Sequence, residues 1–342
     1  MTHRFPIKEI AVQSGLSTAT IDRALNDRAH VSPQTKARVK AAISELEQQE
    51  QQLSAKGRRL FIDFVIEAPK RFSDEVKSAC ESVLSDVGAA VFRPRFHAQE
   101  IMSEETLLAA LERIQKRGSH GLCIKARDSL NVARAVSELS TKGIPVFTLV
   151  TDIQQADRQG YIGLDNIHAG QTAAYLMARS IKADTGSILT TVSRDDFRGE
   201  ADRLTGFREK LVQLKPGLEL IDLSGGAGLF ANTVKRLTPT VTAQDNIVGI
   251  YSMGGANKAI LSELPANVRE NAVYVAHDLD RDNLELLQMG QLDFVLHHDL
   301  KDDMRRLLNG FAAFHRLAAP TDHFASSDIH VVTPFNIPAD YL

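Results

Sequence analysis

Ile7-Lys8-Glu9-Ile10-Ala11-Val12-Gln13-Ser14-Gly15-Leu16-Ser17-Thr18-Ala19-Thr20-Ile21-Asp22-Arg23-Ala24-Leu25 is the most specific pattern in the chain. Two short segments with helical spacing of apolar residues, 7–13 and 18–25, flank the turn Ser14-Gly15-Leu16, and Ser17 stands where a hydroxyl can cap the second. Gly15 can take the positive φ that a tight turn between helices demands, and Ala11 is small where the helices must approach. Ile10, Leu16, Ile21 and Ala24 fall where two helices and a third would share a core. Ser32 and Pro33 open that third helix, with Val39, Ile43 and Leu46 at helical spacing. This is the pattern of a helix-turn-helix, whose second helix enters the major groove of DNA. Its first exposed side chains are Thr18, Ala19, Asp22 and Arg23. The Arg23 guanidinium can donate two hydrogen bonds to guanine O6 and N7, whereas Thr18 and Ala19 suit methyl contacts or water-mediated readout. Asp22, repelled by phosphate, is expected either to accept from cytosine N4 or to hold Arg23.

Around this head lie 342 residues, 43% hydrophobic and 24% charged, enough for two or three packed units and too mixed for a disordered chain. No apolar run is long enough to span a membrane, and residues 1–15 lack the apolar core of a secretory signal, so a cytoplasmic protein without membrane contact is expected. The formal net charge is −3, unevenly spread: residues 1–58 hold nine basic and six acidic side chains. A basic head on an acidic body suits a DNA-contacting module joined to a small-molecule domain, since phosphate neutralisation is local. Cys80 and Cys123 lack metal or redox spacing and read as buried thiols.

From residue 60 short apolar runs (60–66, 89–92, 121–124, 145–150, 161–164, 187–192, 218–223, 247–251, 272–276, 293–297) alternate with amphipathic stretches such as 74–85, 104–116, 130–142, 169–181 and 202–214. Such alternation predicts parallel sheets wound on both faces, and ten strands exceed one such domain. The fold class is therefore α/β: a small all-α helix-turn-helix headpiece (1–46), a hinge or linker (47–59), and an effector-binding and dimerisation body (60–342) of two doubly wound subdomains. Ligands meet parallel sheets at strand C-terminal ends; those ends offer Glu67, Arg127, Asp128, Thr151, Asp152, Ser252, Asp278 and His298. Phe72 either stacks on an apolar sugar face or packs in the core. Arg198 either faces the cleft or makes a surface salt bridge. Asp165 reads as a helix cap.

The head, continued through Asn26-Asp27-Arg28-Ala29-His30-Val31-Ser32 and Thr35-Lys36-Ala37-Arg38-Val39, resembles the headpiece of the lactose-repressor (LacI/GalR) family. The resemblance implies that Ser17, Thr18 and Ala19 open the recognition helix, that Arg23 is the family's recurrent arginine, and that Asn26, His30 and Ser32 occupy loop positions touching the DNA backbone. The next residues depart from the family. Relatives carry a Tyr-x-Pro-Asn-x-x-Ala-Arg-like hinge that wedges a leucine into the minor groove, whereas residues 47–57 lack Pro-Asn and are several residues shorter. Leu53 is either that wedge or a residue of a polar linker helix.

The body is similar to the family's effector domain and to sugar-binding periplasmic proteins. The matches are Ile144-Pro145-Val146, the stretch from Gly163 to Gly170, and Arg203-Leu204-Thr205-Gly206-Phe207. The Arg-x-x-Gly-Phe element implies that Arg203 reaches into the cleft to bind ligand hydroxyl or carboxylate groups. Asp278 matches a carboxylate that accepts from sugar hydroxyls, and His298 stands where relatives often have glutamine. Asp152 falls two residues later than the family's aspartate, and Ser252 stands where many relatives carry asparagine.

Two doubly wound domains also describe many enzymes, including sugar-modifying ones. Yet Ser224-Gly225-Gly226-Ala227-Gly228 and Met253-Gly254-Gly255-Ala256-Asn257 give neither a dinucleotide fingerprint nor a Walker lysine and read as glycine-rich turns. His277, Asp278, Asp280 and Asp282 with His297 and His298 match no metal spacing. A periplasmic-type receptor would need an export signal and no headpiece. The expectation is a ligand-responsive transcriptional regulator, a repressor without enzymatic activity, cofactor or metal. It would bind pseudo-palindromic double-stranded operator DNA as a homodimer, with a small sugar or polyol as effector. The absence of a leucine-heptad tail favours a dimer over a tetramer.

Overall fold

The computed structural model describes residues 5–26, 28, 31–55, 58–242, 246–320 and 324–341, with only the backbone described for 47–55 and 242. The headpiece folds as α1 (Ile7–Ser14), α2 (Thr18–Leu25) and α3 (Pro33–Ala55). Gly15 ends α1 at φ 61°. Ser17 Oγ accepts from the Thr20 N–H at 3.2 Å and Ser32 Oγ from the Thr35 N–H at 3.1 Å, so hydroxyls cap α2 and α3. Phe5, Ile10, Ala11, Ile21 and Val39 form the core, with Leu16, Ala24, Ile43 and Leu46 packed against it. Because α3 runs unbroken to Ala55, the expected start of the linker at 47 falls inside a helix.

The body's first sheet contains β1 (Arg59–Glu67), β2 (Val91–Gln99), β3 (Gly121–Lys125), β4 (Val146–Leu149) and β5 (Gly160–Ile162), in the order β2-β1-β3-β4-β5. All its pairings are parallel. One face is covered by α4 (Lys70–Val83), the other by α5 (Glu104–Arg117) and α6 (Leu130–Thr141). The chain then crosses to the second subdomain with α7 (Asn166–Ser180), β6 (Gly186–Thr191), α8 (Arg198–Leu214), β7 (Leu218–Leu223), α9 (Phe230–Thr242) and β8 (Ile247–Ser252). There follow α10 (Asn257–Glu263), α11 (Ala266–Asn271), β9 (Val273–His277), α12 (Arg281–Gln288) and β10 (Phe294–His297). After β10 it crosses back, and α13 (Leu300–Phe314) buries Met304, Leu307, Leu308 and Phe311 in the core of the first subdomain. A third crossing brings β11 (His330–Val332) to the second sheet, antiparallel to β10. That sheet is ordered β11-β10-β9-β8-β6-β7.

The ten expected strands are all present: the central β3 and β4 are fully buried, largely apolar runs, whereas β2 and β7, at the sheet edges, are only partly buried. An eleventh, β11, is only three residues long and is not among the expected runs. At the crossings, Leu164 bridges to Ser327, so the first and third connections run side by side. Cys80 and Cys123 are free and buried; burial pushes the Cys80 thiol up to about 12, which leaves it unreactive.

Candidate functional site

On α2, Thr18, Ala19 and Arg23 are exposed on one side of the head. Asp22 is engaged within the protein: its Oδ1 accepts from Asn26 Nδ2 at 2.9 Å, and its Oδ2 lies 3.1 Å from Arg28 Nη1. Among the described residues it does not hold Arg23. Ser17, Asn26 and Ser32 thus serve local capping roles that fix the recognition helix and its loop. His30 lies outside the described residues, as does the side chain of Leu53.

The second site lies between the sheets, at the C-terminal ends of their strands. Arg203, Asp278 and Phe72 line this cleft, together with Arg71, Lys125, Thr151, Glu200 and His277. It encloses about 60 Å³, room for a few waters and far less than the roughly 300 Å³ of small-molecule sites. A ligand of sugar size enters only if the subdomains part.

Arg203 owes its position to glycines. A Cβ on Gly170 of α7 would stand 2.0 Å from the Arg203 carbonyl oxygen, and one on Gly206 would stand 2.1 Å from that of Ile167. The two helices therefore touch backbone to backbone, which aims the arginine inward. Its side chain is 2% exposed; Nε donates to Asn166 Oδ1 at 2.7 Å and Nη1 to the Met253 carbonyl at 3.3 Å. Phe207 stacks on Tyr251 with centroids 4.5 Å apart, and the Tyr251 hydroxyl lies 2.8 Å from His277 Nε2.

Asp278 takes a left-handed backbone, φ 64°, a conformation that costs a non-glycine residue about 1–3 kcal/mol and is held by its surroundings. Its N–H donates to the Leu296 carbonyl at 2.9 Å, and its carbonyl accepts from Asn283 Nδ2 at 2.7 Å. Behind it, His298 is buried with Nδ1 2.6 Å from Asp303 Oδ2. Burial alone would raise the Asp303 pKa, but hydrogen bonds from His298, Ser327 and Arg306 hold it below the usual carboxylate range.

Lys125 ends β3 beneath the cleft, its Nζ 4.0 Å from the Phe197 ring centroid and donating to the Glu67 carbonyl at 3.2 Å. Burial pushes its pKa down against the opposing pull of Glu200, Asp278 and Glu67. Charged contacts also join the lips. Arg71 Nε donates to Asp280 Oδ2 at 2.7 Å and Nη1 to the Gly228 carbonyl at 2.9 Å; Arg194 Nη1 donates to Glu67 Oε1 at 2.8 Å. The glycine-rich turns clear the way for Arg71: a Cβ on Gly255 would stand 2.3 Å from its Nη2.

Other expected contacts lie away from the cleft lining. Asp152 binds Arg158 and accepts from Thr148 Oγ1 at 2.7 Å, and these contacts hold its pKa down although burial would raise it. Ser252 is fully buried just before Met253, which faces the cleft. Arg198 pairs with Asp202 at 2.9 Å and donates to Gln154 Oε1, at 2.9 Å, in the other subdomain. Asp128 crosses between subdomains through its backbone, N–H to the Asp196 carbonyl at 2.9 Å. Asp165 caps α7, accepting from the His168 N–H at 3.0 Å. Arg71, Lys125, Glu200 and His277 escaped the sequence reading as ligand contacts. Lys125 and His277 sit one residue from strand ends that were read, so a one-residue shift in strand limits would have found them.

Among the described residues no His, Cys, Asp or Glu side chains are grouped to hold a metal ion, and no helix is long and apolar enough to cross a membrane.

Comparison with known proteins places both parts. The family profile described as "Periplasmic binding protein domain" matches residues 67–303, and that described as "Bacterial regulatory proteins, lacI family" matches residues 6–49. No curated protein gives a significant match. Similar solved structures include GanP, a glucose-galactose binding protein from Geobacillus stearothermophilus, with TM-score 0.73 at 13% identity over 82% of this chain and 99% of that one. An ABC transporter solute binding protein from Burkholderia graminis, in complex with D-arabinose, gives TM-score 0.73 at 18% identity over 82% and 97%. A periplasmic solute binding protein from Actinobacillus succinogenes, with bound D-allose, gives 0.67 at 15% identity over 81% and 98%. Both matched families are binding or regulatory rather than enzymatic. The chain belongs to the periplasmic binding protein domain family through its body and, with its helix-turn-helix headpiece, is a DNA-binding regulator of the lacI family.

Proposed function

We propose that this regulator is a cytoplasmic repressor that binds a pseudo-palindromic operator as a homodimer and takes a small sugar or polyol as effector in the interdomain cleft. One observation carries the effector reading: a buried guanidinium, Arg203, and a carboxylate, Asp278, face the same cleft at the strand ends of two sheets. Such a pairing of fixed donors and acceptors suits a polyhydroxyl molecule, and similar solved structures hold D-arabinose and D-allose. In this reading residues 1–46 read DNA, 47–59 connect, and 60–342 bind effector and pair with a second copy. Arg23, Thr18 and Ala19 face the bases. Ser17 caps the recognition helix and Asp22 holds its loop through Asn26 and Arg28, while Asn26, His30 and Ser32 meet the DNA backbone and Leu53 enters the minor groove. Arg203, Asp278, His298 and Phe72 meet the effector, with Arg198, Asp152, Ser252 and Asp128 supporting them.

Dimerisation follows from the geometry of readout, since one short recognition helix discriminates too few base pairs. The control mechanism is linkage: an effector that binds one degree of closure better than another shifts the spacing of the two headpieces. The test is selection of random duplex DNA by the full-length protein at fixed moderate salt, with and without a sugar panel. A two-fold symmetric motif is expected; enrichment of an asymmetric half-site, or no enrichment under any condition, would overturn the dimeric operator reading.

A further inference from the structure

We infer that the protein carries a second small-molecule site, outside the cleft, for a free α-amino acid with an apolar side chain. Between α4 and the C-terminal residues 338–341 lies a cavity of about 530 Å³, within the roughly 300–1,000 Å³ of small-molecule sites. It shares no lining residue with the cleft that holds Arg203. Glu75 and Ala79 face it from α4 of the first subdomain, Arg281 and Leu284 from α12 of the second. Glu75 is one turn beyond Arg71, and Arg281 directly follows Asp280, so the cavity lies behind the contact that joins those two residues.

The charges on its wall select the ligand. Lys301 Nζ is paired with Asp340 Oδ2 at 2.6 Å, and Asp299 is occupied capping α13, accepting from the N–H groups of Lys301 and Asp302 at 2.9 and 3.0 Å. That leaves Glu75 and Arg281, which make neither an ion pair nor a hydrogen bond among the described residues. Burial, with the carboxylates of Asp280 and Asp74, pushes the Glu75 pKa up, the mark of a half-buried anion lacking a cation. A sugar brings no charge to either group. An amine alone would leave Arg281 unmatched, and a carboxylate alone would leave Glu75 so. An amino acid supplies both partners at once, its ammonium to Glu75 and its carboxylate to the planar fork of Arg281.

A third polar group is built into the wall. His297, only 4% exposed, lines the cavity. Its Nδ1 accepts from the Leu279 N–H at 3.2 Å, so the ring proton lies on Nε2, where no described residue accepts it. This fixed N–H is available to a carboxylate oxygen. The remaining walls are apolar: Ala79, Leu284, Leu300 and Pro338, with the Tyr341 ring edge-to-face on His297 at 5.4 Å between centroids. They suit a hydrocarbon or aromatic side chain. Held from α4 on one side and α12 on the other, a bound amino acid ties the two subdomains together in this closed arrangement.

The test is calorimetric titration of the full-length protein with L-leucine and L-phenylalanine at pH 7, beside glycine, N-acetyl-L-leucine and L-leucinamide. Leucine or phenylalanine is expected to bind, with affinity at least about ten-fold lower for glycine, which forgoes the apolar walls, and for each capped analogue, which forgoes one charge. Glu75→Gln and Arg281→Gln each replace a side chain that touches no ion-pair partner, so both variants should keep the wild-type urea midpoint while losing about ten-fold or more in affinity for the same amino acid. Binding of neither leucine nor phenylalanine would overturn the site. Equal affinity for the capped analogues would overturn recognition of both charges, and wild-type affinity in the two variants would overturn its placement.

Discussion

Arg71 Nε and Asp280 Oδ2 lie 2.7 Å apart across the mouth of the cleft, joining α4 of the first subdomain to the start of α12 in the second. The pair is partly buried, with side chains 25% and 10% exposed, and a charge-assisted bond of this kind contributes roughly 1.5–3 kcal/mol. It holds closed a cleft too small to admit a sugar in this state. Arg71→Ala is predicted to favour the open form, raising the radius of gyration of the sugar-free protein in small-angle scattering and, because a sugar enters only that form, strengthening sugar affinity by up to about ten-fold. An unchanged radius and affinity would remove the latch from the account.

A second prediction concerns the backbone contact of α7 with α8. In Gly206→Ala the new methyl would meet the Ile167 carbonyl, so the helices must separate, at a cost of about 1–3 kcal/mol. Because Arg203 rides on α8, sugar affinity should fall together with the urea midpoint. Loss of stability with full affinity would mean that the arginine is positioned by something else.

Recognition by the head is separable from the body. Arg23→Ala is predicted to weaken binding to a selected operator by about 1–3 kcal/mol, relaxing the preference at one base position in each half-site. Affinity for the sugar in the cleft should not change. Uniform weakening across all DNA sequences would instead assign Arg23 to phosphate.

Acid should destabilise the body before its carboxylates titrate. Burial pushes His297 to about 4, whereas an unfolded histidine titrates near 6.5. Between those values the unfolded chain binds more protons, so the stabilisation is fully present above about pH 6.5 and is lost as pH falls toward 4. For His297 alone this is on the order of 3 kcal/mol, and buried His277 acts in the same direction. Urea melts between pH 7 and 4.5 should show the fall, and His297→Gln should reduce it; a flat profile would contradict burial of these rings as neutral groups.

The head was legible almost residue by residue, since caps, turn glycine and apolar spacing all act locally. Ser17, Gly15 and Ser32 do in the structure what their chemistry implies. The strands of the body were legible for the same reason. Residues that depend on a distant partner were not. Nothing near Arg71 announces Asp280, more than two hundred positions on, and nothing near His298 announces that Asp303 and the returning segment at Ser327 close over it. Asp152 reads as a strand-end ligand because it follows β4, although two residues later than the family's aspartate; Arg158, six residues on, occupies it instead. The span of α3 was hidden because a polar helix without an apolar face carries little periodic signal.

The central claim is that occupancy of the cleft governs the grip on DNA. It is tested most directly by measuring the affinity of the full-length protein for its selected operator duplex, at fixed salt, with and without a saturating sugar. The account predicts a change of about ten-fold or more with sugar, absent in Arg203→Ala, which should bind the operator as wild type does without sugar. Equal operator affinity in the empty and sugar-saturated wild-type protein would contradict it.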